Sequence, residues 1–190
     1  MEKYKDISSV VDYVVKVIFK YNLNNYKPAK LLPEIKLITE IDKKKLKLGI
    51  EVFKSQMDTW KWSSEWWPLN NGVEEAENRL KEDWVFCVVE KDNKYVGWSW
   101  MDVTESSLIQ LWVDKNYRGN GYGKQLMYAR LNESKKNGIE ELYTEVDFYN
   151  KISWLTHYIN DITTITINSD YLSILMDIFK EDLKEKTNEN

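Results

Sequence analysis

Between Tyr117 and Gln125 the chain reads YRGNGYGKQ, which puts three of its seven glycines within five residues. The apolar run LIQLWV (108–113) leads into it, and Leu126, Ala129, Arg130 and Leu131 follow at helical spacing. Glycines between a strand and a helix let the turn tighten and let main-chain N–H groups converge on one point, because no Cβ atoms stand in the way. Such a point attracts anions, and a strand-to-helix junction of this kind belongs to an α/β fold.

Two common phosphate-binding patterns fail on these residues. A dinucleotide fingerprint G-x-G-x-x-G would need glycine at position 126, where Leu126 stands. A phosphate loop would need Ser or Thr after Lys124 and a glycine in place of Arg118, and it has Gln125 and Arg118 instead.

The flanking segments read as a series of short elements. EIKLITE (34–40) alternates as a half-buried strand does, and Asp42 caps a helix running towards Met57 with Leu46, Ile50 and Phe53 on one side. After a Trp-rich loop, VEEAENRLKED (73–83) is a helix whose acidic first turn suits its dipole. WVFCVVE (84–90) and KYVGWSWMDV (94–103) are strands joined by a tight turn at Asp92 and Asn93, and SSLIQLWVD (106–114) is a third strand of the same meander. A helix from Tyr122 to Lys136 stops at Asn137 and Gly138. ELYTEV (141–146) is then a strand, FYNKISWLTHYIN (148–160) a helix, ITTITI (162–167) a strand, and positions 170–184 a closing amphipathic helix.

Near the start, Val11, Val14, Val15 and Ile18 keep the i, i+3, i+4, i+7 spacing of an amphipathic helix over residues 8–21. The expected organisation is a helical extension over 1–33, a main domain over 34–186 and a polar tail over 187–190. The expected fold class is α/β: a central mixed, mostly antiparallel sheet flanked by helices, with that extra N-terminal helix.

Composition narrows the function. At 190 residues there is room for one sizeable core, and 43% apolar with 31% charged residues is the balance of a soluble globular protein. A net charge of −4 argues against a partner held by neutralising many phosphates, so no nucleic acid is expected. The apolar segment 10–19 is short and broken by Asp12 and Lys16, so neither a signal peptide nor a membrane span is expected, and the default location is cytoplasmic. Cys87, the only cysteine, lies in an apolar run, and His157 is the only histidine; no metal is assigned. Nine Trp residues include Trp60, Trp62, Trp66 and Trp67 in one loop; such rings either plug a core or wall a site for ring-shaped ligands.

VDKNYRGNGYGKQLM (113–127) resembles the acyl-CoA binding motif of the GNAT superfamily of N-acyltransferases, Arg/Gln-x-x-Gly-x-Gly/Ala opening a helix after a strand that ends in Val. Arg118, Gly121 and Gly123 take the defining places, and Gly119 and Leu126 match accessory ones. The resemblance spans roughly residues 34–158. It implies acetyl-CoA as acyl donor, with the amides of Arg118, Gly119, Asn120, Gly121, Tyr122, Gly123 and Lys124 around the diphosphate of coenzyme A. It also implies that the pantetheine arm pairs with backbone at Leu111, Trp112 and Val113, where strand N–H groups polarise the thioester carbonyl. Asn150, with Ser153 three residues on, resembles the family's Asn that bonds the same arm.

The chemistry so implied is acyl transfer to an amine. An amine of ordinary pKa near 10.4 costs about 4–5 kcal/mol to deprotonate at pH 7, so a base or water chain must assist. Gln110 stands where many relatives have an acidic residue; Asp58, Glu65, Asp102, Glu105 and Asp147 are the alternatives. The departing thiolate needs a proton, which a Tyr about seven residues after the Asn usually supplies; position 157 is His157, and Tyr158 beside it is preferred. The Trp loop would line the acceptor pocket. A small-molecule amine, best an amino sugar or nucleotide-linked amino sugar, is the expected acceptor. A protein or peptide amine is the second reading, and a non-catalytic acyl-CoA sensor the contrasting one. A homodimer, or a place in a longer polypeptide, is compatible with the extra segments.

Overall fold

The computed structural model describes residues 16–57, 72–147, 150–159 and 161–167. The chain divides into two compact units, Asn22–Leu142 and a smaller one drawn from Met1–Tyr21 and Tyr143–Asn190.

The larger unit is built on strands β2 (Ile35–Ile38), β3 (Trp84–Lys91), β4 (Lys94–Asp102) and β5 (Ser107–Val113), neighbours in that order and antiparallel throughout. The hairpin between β3 and β4 turns through Asp92 and Asn93 at φ 50° and 59°, as their residue types allow. Helices α1 (Lys43–Met57) and α2 (Val73–Lys81) precede β3, and α3 (Tyr122–Lys136) follows β5. Asp42 starts α1 by accepting the Lys45 N–H at 3.0 Å, a bond that lowers its carboxyl pKa. Gly138, at φ 75°, ends α3: its N–H reaches Lys135 O and that of Ile139 reaches Ser134 O.

Alternation along the strands feeds two apolar layers. Phe86, Val88, Trp98, Trp100 and Trp112 pack with Leu46, Ile50, Phe53 and Ala76 of α1 and α2. Cys87, Val89, Val96 and Val113 pack with Tyr122, Leu126 and Ala129 of α3. Adjacent residues of β3 thus face opposite layers, the period of two that a pleated strand dictates. The Phe86 and Trp100 rings lie stacked with centroids 3.9 Å apart. Three tryptophans, Trp98, Trp100 and Trp112, accordingly belong to the packed interior, and Trp84 packs against it from the edge.

The smaller unit holds most of β6 (Glu141–Asp147) and of β1 (Lys16–Asn22) and all of β7 (Thr163–Ile167), ordered β6, β1, β7, with helix α4 (Lys151–His157) between β6 and β7 in the chain. β1 corrects the part of the expected helix that falls within the described residues, 16–21. Val17, Phe19 and Tyr21 are buried in alternation, and Val17 to Tyr21 pair antiparallel with Ile167 to Thr163. The segment is rich in β-branched and aromatic residues, which suit a pleated surface, and pairing with a distant strand outweighs the helical spacing that Ile18 shares with the residues before it. Val11, Val14 and Val15 and the expected closing helix over 170–184 lie outside the described residues. The α/β class holds, with a mixed, mostly antiparallel sheet flanked by helices.

Candidate functional site

β5 hands over to α3 through a turn fixed by one buried carboxylate. Asp114 accepts the N–H of Asn116 at 2.9 Å and the Gln56 Nε2 of α1 at 2.8 Å, while its own N–H bonds Val96 O. It thereby caps the single 3-10 turn Lys115–Tyr117. Arg118 lays its side chain back along the turn, Nε donating to Val113 O at 2.9 Å, and Asn120 Nδ2 donates to Tyr117 O at 3.0 Å. Gly119 and Gly121 then take φ values of 80° and 78°, the left-handed region that L side chains avoid. No heavy atom stands within 4 Å of where a Cβ would sit on either, so open space faces the turn.

Gly121 is the N-cap of α3, and no side chain caps that helix. The first N–H groups of a helix have no acceptor within it, so those of Tyr122 and Gly123 are presented with the positive end of the helix dipole. Below them Tyr122 is buried against Val113, with its hydroxyl 3.4 Å from Lys91 Nζ. Burial lowers the Lys124 pKa from its ordinary 10.5.

Midway along β5 the ladder breaks. Trp112 and Leu111 face Trp98 and Ser99, but Met101 faces Leu108, so Ile109 and Gln110 together stand opposite Trp100. This is a β-bulge on β5, and it had no sequence signal. The Gln110 side-chain amide lies there with both Oε1 and Nε2 buried and without a hydrogen-bond partner among the described residues. Arg130 of α3, completely buried, donates from Nη1 to Trp100 O at 3.3 Å and to Ile109 O at 3.1 Å. Its signal in the sequence was an arginine on the apolar stripe of a helix, a position charged side chains seldom take.

The smaller unit holds the remaining candidates. Asn150 caps α4, Oδ1 accepting the Ser153 N–H at 3.1 Å, which is the physical sense of that residue pair; its Nδ2 remains a donor. His157 is buried, Nδ1 3.0 Å from the Tyr21 hydroxyl and its ring 5.9 Å from that of Phe19. Tyr158 ends α4, about half exposed, on an apolar hollow of about 410 Å³ lined by Phe19, Trp154, Leu155 and Ile165. Among the suggested bases, Asp102 accepts the Glu105 N–H in the turn before β5, at the opposite end of that strand from the glycines. Asp58, Glu65, Trp60, Trp62, Trp66 and Trp67 lie outside the described residues, as does the side chain of Asp147. Among the described residues no group of three or more His, Cys, Asp or Glu could hold a metal, and no helix is long and apolar enough to cross a membrane.

Residues 52–157, which contain the bulge, the glycine turn and α4, match the family described as Acetyltransferase (GNAT) family. The chain belongs to the GNAT family. No curated protein matches it. Three solved structures of similar fold are acetyltransferases. An aminoglycoside acetyltransferase from an uncultured soil metagenomic sample, in complex with trehalose, is 22% identical over 70% of this chain and 85% of its own, with a TM-score of 0.51. A ribosomal-protein-alanine N-acetyltransferase from Brucella melitensis is 19% identical over 65% and 80%, with a TM-score of 0.53. The PaiA N-acetyltransferase from Thermoplasma acidophilum, in complex with coenzyme A, is 18% identical over 70% and 97%, also at 0.53. At these identities the likeness establishes the fold.

The acyl donor of GNAT proteins is acetyl-CoA, and the turn offers an anion an uncapped helix end and two left-handed glycines with open space before them.

Proposed function

We propose that this GNAT protein transfers the acetyl group of acetyl-CoA to the primary amine of a small molecule, with an amino sugar, free or nucleotide-linked, as the acceptor class. The observation that carries the donor half is the uncapped N-terminus of α3 behind Gly119 and Gly121. A helix-end or cationic contact to an anion is worth about 0.3–1 kcal/mol, so Arg118, Gly119, Asn120, Gly121, Tyr122, Gly123 and Lys124 act as a set.

When bound, acetyl-CoA supplies an activated carbonyl on a thiol leaving group. The chain's part is to orient and polarise it. Backbone at Leu111, Trp112 and Val113 aligns the pantetheine arm, and main-chain N–H groups of β5 are assigned to the carbonyl oxygen, where charge develops. Asn150 Nδ2 steadies the same arm. Tyr158 is assigned the proton for the departing thiolate. His157 is the weaker candidate because its Nδ1 is engaged with Tyr21 inside the smaller unit. For the acceptor, Trp60, Trp62, Trp66 and Trp67 offer stacking faces for a sugar. The net charge of −4 favours a cationic acceptor, and a fold neighbour acting on aminoglycosides is in keeping with it.

Calorimetry with coenzyme A, followed by a free-thiol assay with acetyl-CoA against amino sugars, polyamines and peptides, tests both halves. Uptake of coenzyme A and turnover of amino sugars are expected. No uptake overturns the donor site. Turnover confined to peptides replaces the acceptor class with a protein amine, and binding without turnover of any amine makes the chain a sensor.

A further inference from the structure

We propose that Arg130 is a positioning residue for the transfer reaction: from inside the fold its guanidinium holds the irregular segment of β5 whose backbone faces the thioester. The inference rests on the donor site just described and adds a residue to it.

Arg130 sits two turns along α3 from the glycine turn, on a face where Leu126, Met127, Ala129, Leu131 and Ser134 are all buried. A lysine or arginine is almost never sealed in this way without a specific task for its donors. Here one nitrogen, Nη1, serves both Trp100 O and Ile109 O, and Nη2 rests 3.2 Å from Met127 Sδ. Those two carbonyls belong to the break in register itself, where Ile109 and Gln110 share a single partner, Trp100. In a regular ladder such carbonyls take N–H groups from the neighbouring strand; an extra residue disturbs that pairing, and buried carbonyls must then find donors elsewhere. The planar guanidinium, rigid and always charged, meets that need from the helix side.

The consequence follows from peptide planarity. In a trans peptide the C=O and N–H point in opposite directions, so fixing Ile109 O on Arg130 turns the Gln110 N–H the other way, away from α3. Arg130 therefore sets the direction of one amide at the bulge and of the polar side chain that follows it. The same helix starts at the diphosphate turn. One rigid element thus carries both the anchor of the donor and the group that aims the carbonyl-facing backbone. Misplacement of a reacting group by about 1 Å costs roughly 100-fold in rate, so a small relaxation of the bulge is enough to matter.

The test compares R130M, which keeps bulk and loses the donors, with R130K, which keeps the charge and loses the fork. Ser134→Ala serves as a control for destabilisation on the same buried helix face. The expected result for R130M is coenzyme A affinity and acetyl-CoA KM within about threefold of wild type, with kcat lowered roughly 100-fold. R130K should recover part of kcat, and Ser134→Ala should lower the melting temperature while leaving kcat near wild type. A kcat for folded R130M within threefold of wild type overturns the inference, as does a loss of kcat matched by an equal loss of coenzyme A affinity. If R130M does not fold, R130K decides alone: a shifted Gln110 amide resonance with reduced kcat supports the role, and an unshifted resonance with full kcat overturns it. Wild-type protein that binds no coenzyme A overturns the donor site first, a result obtained before any variant is made.

Discussion

Gly121 and Gly97 exclude side chains for opposite reasons. At Gly121 there is space for a Cβ but the backbone is left-handed, whereas at Gly97 in β4 a Cβ would come within 2.9 Å of Trp112 O on β5. Gly121→Ala should cost about 1–2 kcal/mol in urea unfolding and weaken coenzyme A binding at least about tenfold by calorimetry, since its methyl enters the space before the turn. Gly97→Ala should cost about 1–3 kcal/mol by forcing β4 and β5 apart. Cys87 makes a different demand: burial pushes its thiol from 9.0 up to about 12. The folded protein should not react with a thiol reagent at pH 8 until denaturant is added. Because the folded pKa is the raised one, the associated stability is complete below pH 9 and is lost as pH rises towards 12, by about 1.4 kcal/mol per unit. Unfolding curves for the wild type and Cys87→Ala should converge over that window; curves that stay parallel would place the thiol in water.

At the scale of elements, the end of α4 separates two adjacent residues that the sequence left in competition. His157 points into the interior to Tyr21, and Tyr158 stands at the helix end, half exposed. Tyr158→Phe should cut turnover by about 100-fold or more while coenzyme A affinity stays near wild type. His157→Gln should lower unfolding free energy by about 1 kcal/mol and spare turnover of the folded fraction. Loss of turnover in the histidine variant alone would reverse the assignment. The meander, the hairpin at Asp92 and Asn93, and α3 between its two glycine boundaries were legible because each is written in local patterns: alternation, turn residues and caps. Residues 16–21 carry two competing patterns: Ile18 continues the helical spacing of Val11, Val14 and Val15, while the alternation of Val17, Phe19 and Tyr21 gains meaning only beside β7. The bulge and Arg130 were invisible as a pair, since a register shift is a relation between strands and the role of Arg130 depends on it.

For the whole molecule, the donor site makes stability depend on the ligand. Coenzyme A at 100 times its dissociation constant should add about 2.7 kcal/mol, a rise of roughly 5–11 °C in melting temperature for a chain of this size. An unchanged melting temperature at saturating coenzyme A would count against the site. The antiparallel pair of Val17 with Ile167 joins residues 150 positions apart (167 − 17). At the usual pace of about 5–20 residues per second, a ribosome releases β1 roughly 7–30 s before the strand that covers its flank. Throughout that interval a short, apolar, β-prone segment lacks its β7 partner, so the nascent chain's exposure to chaperones and to misassembly is set by how late that partner is made.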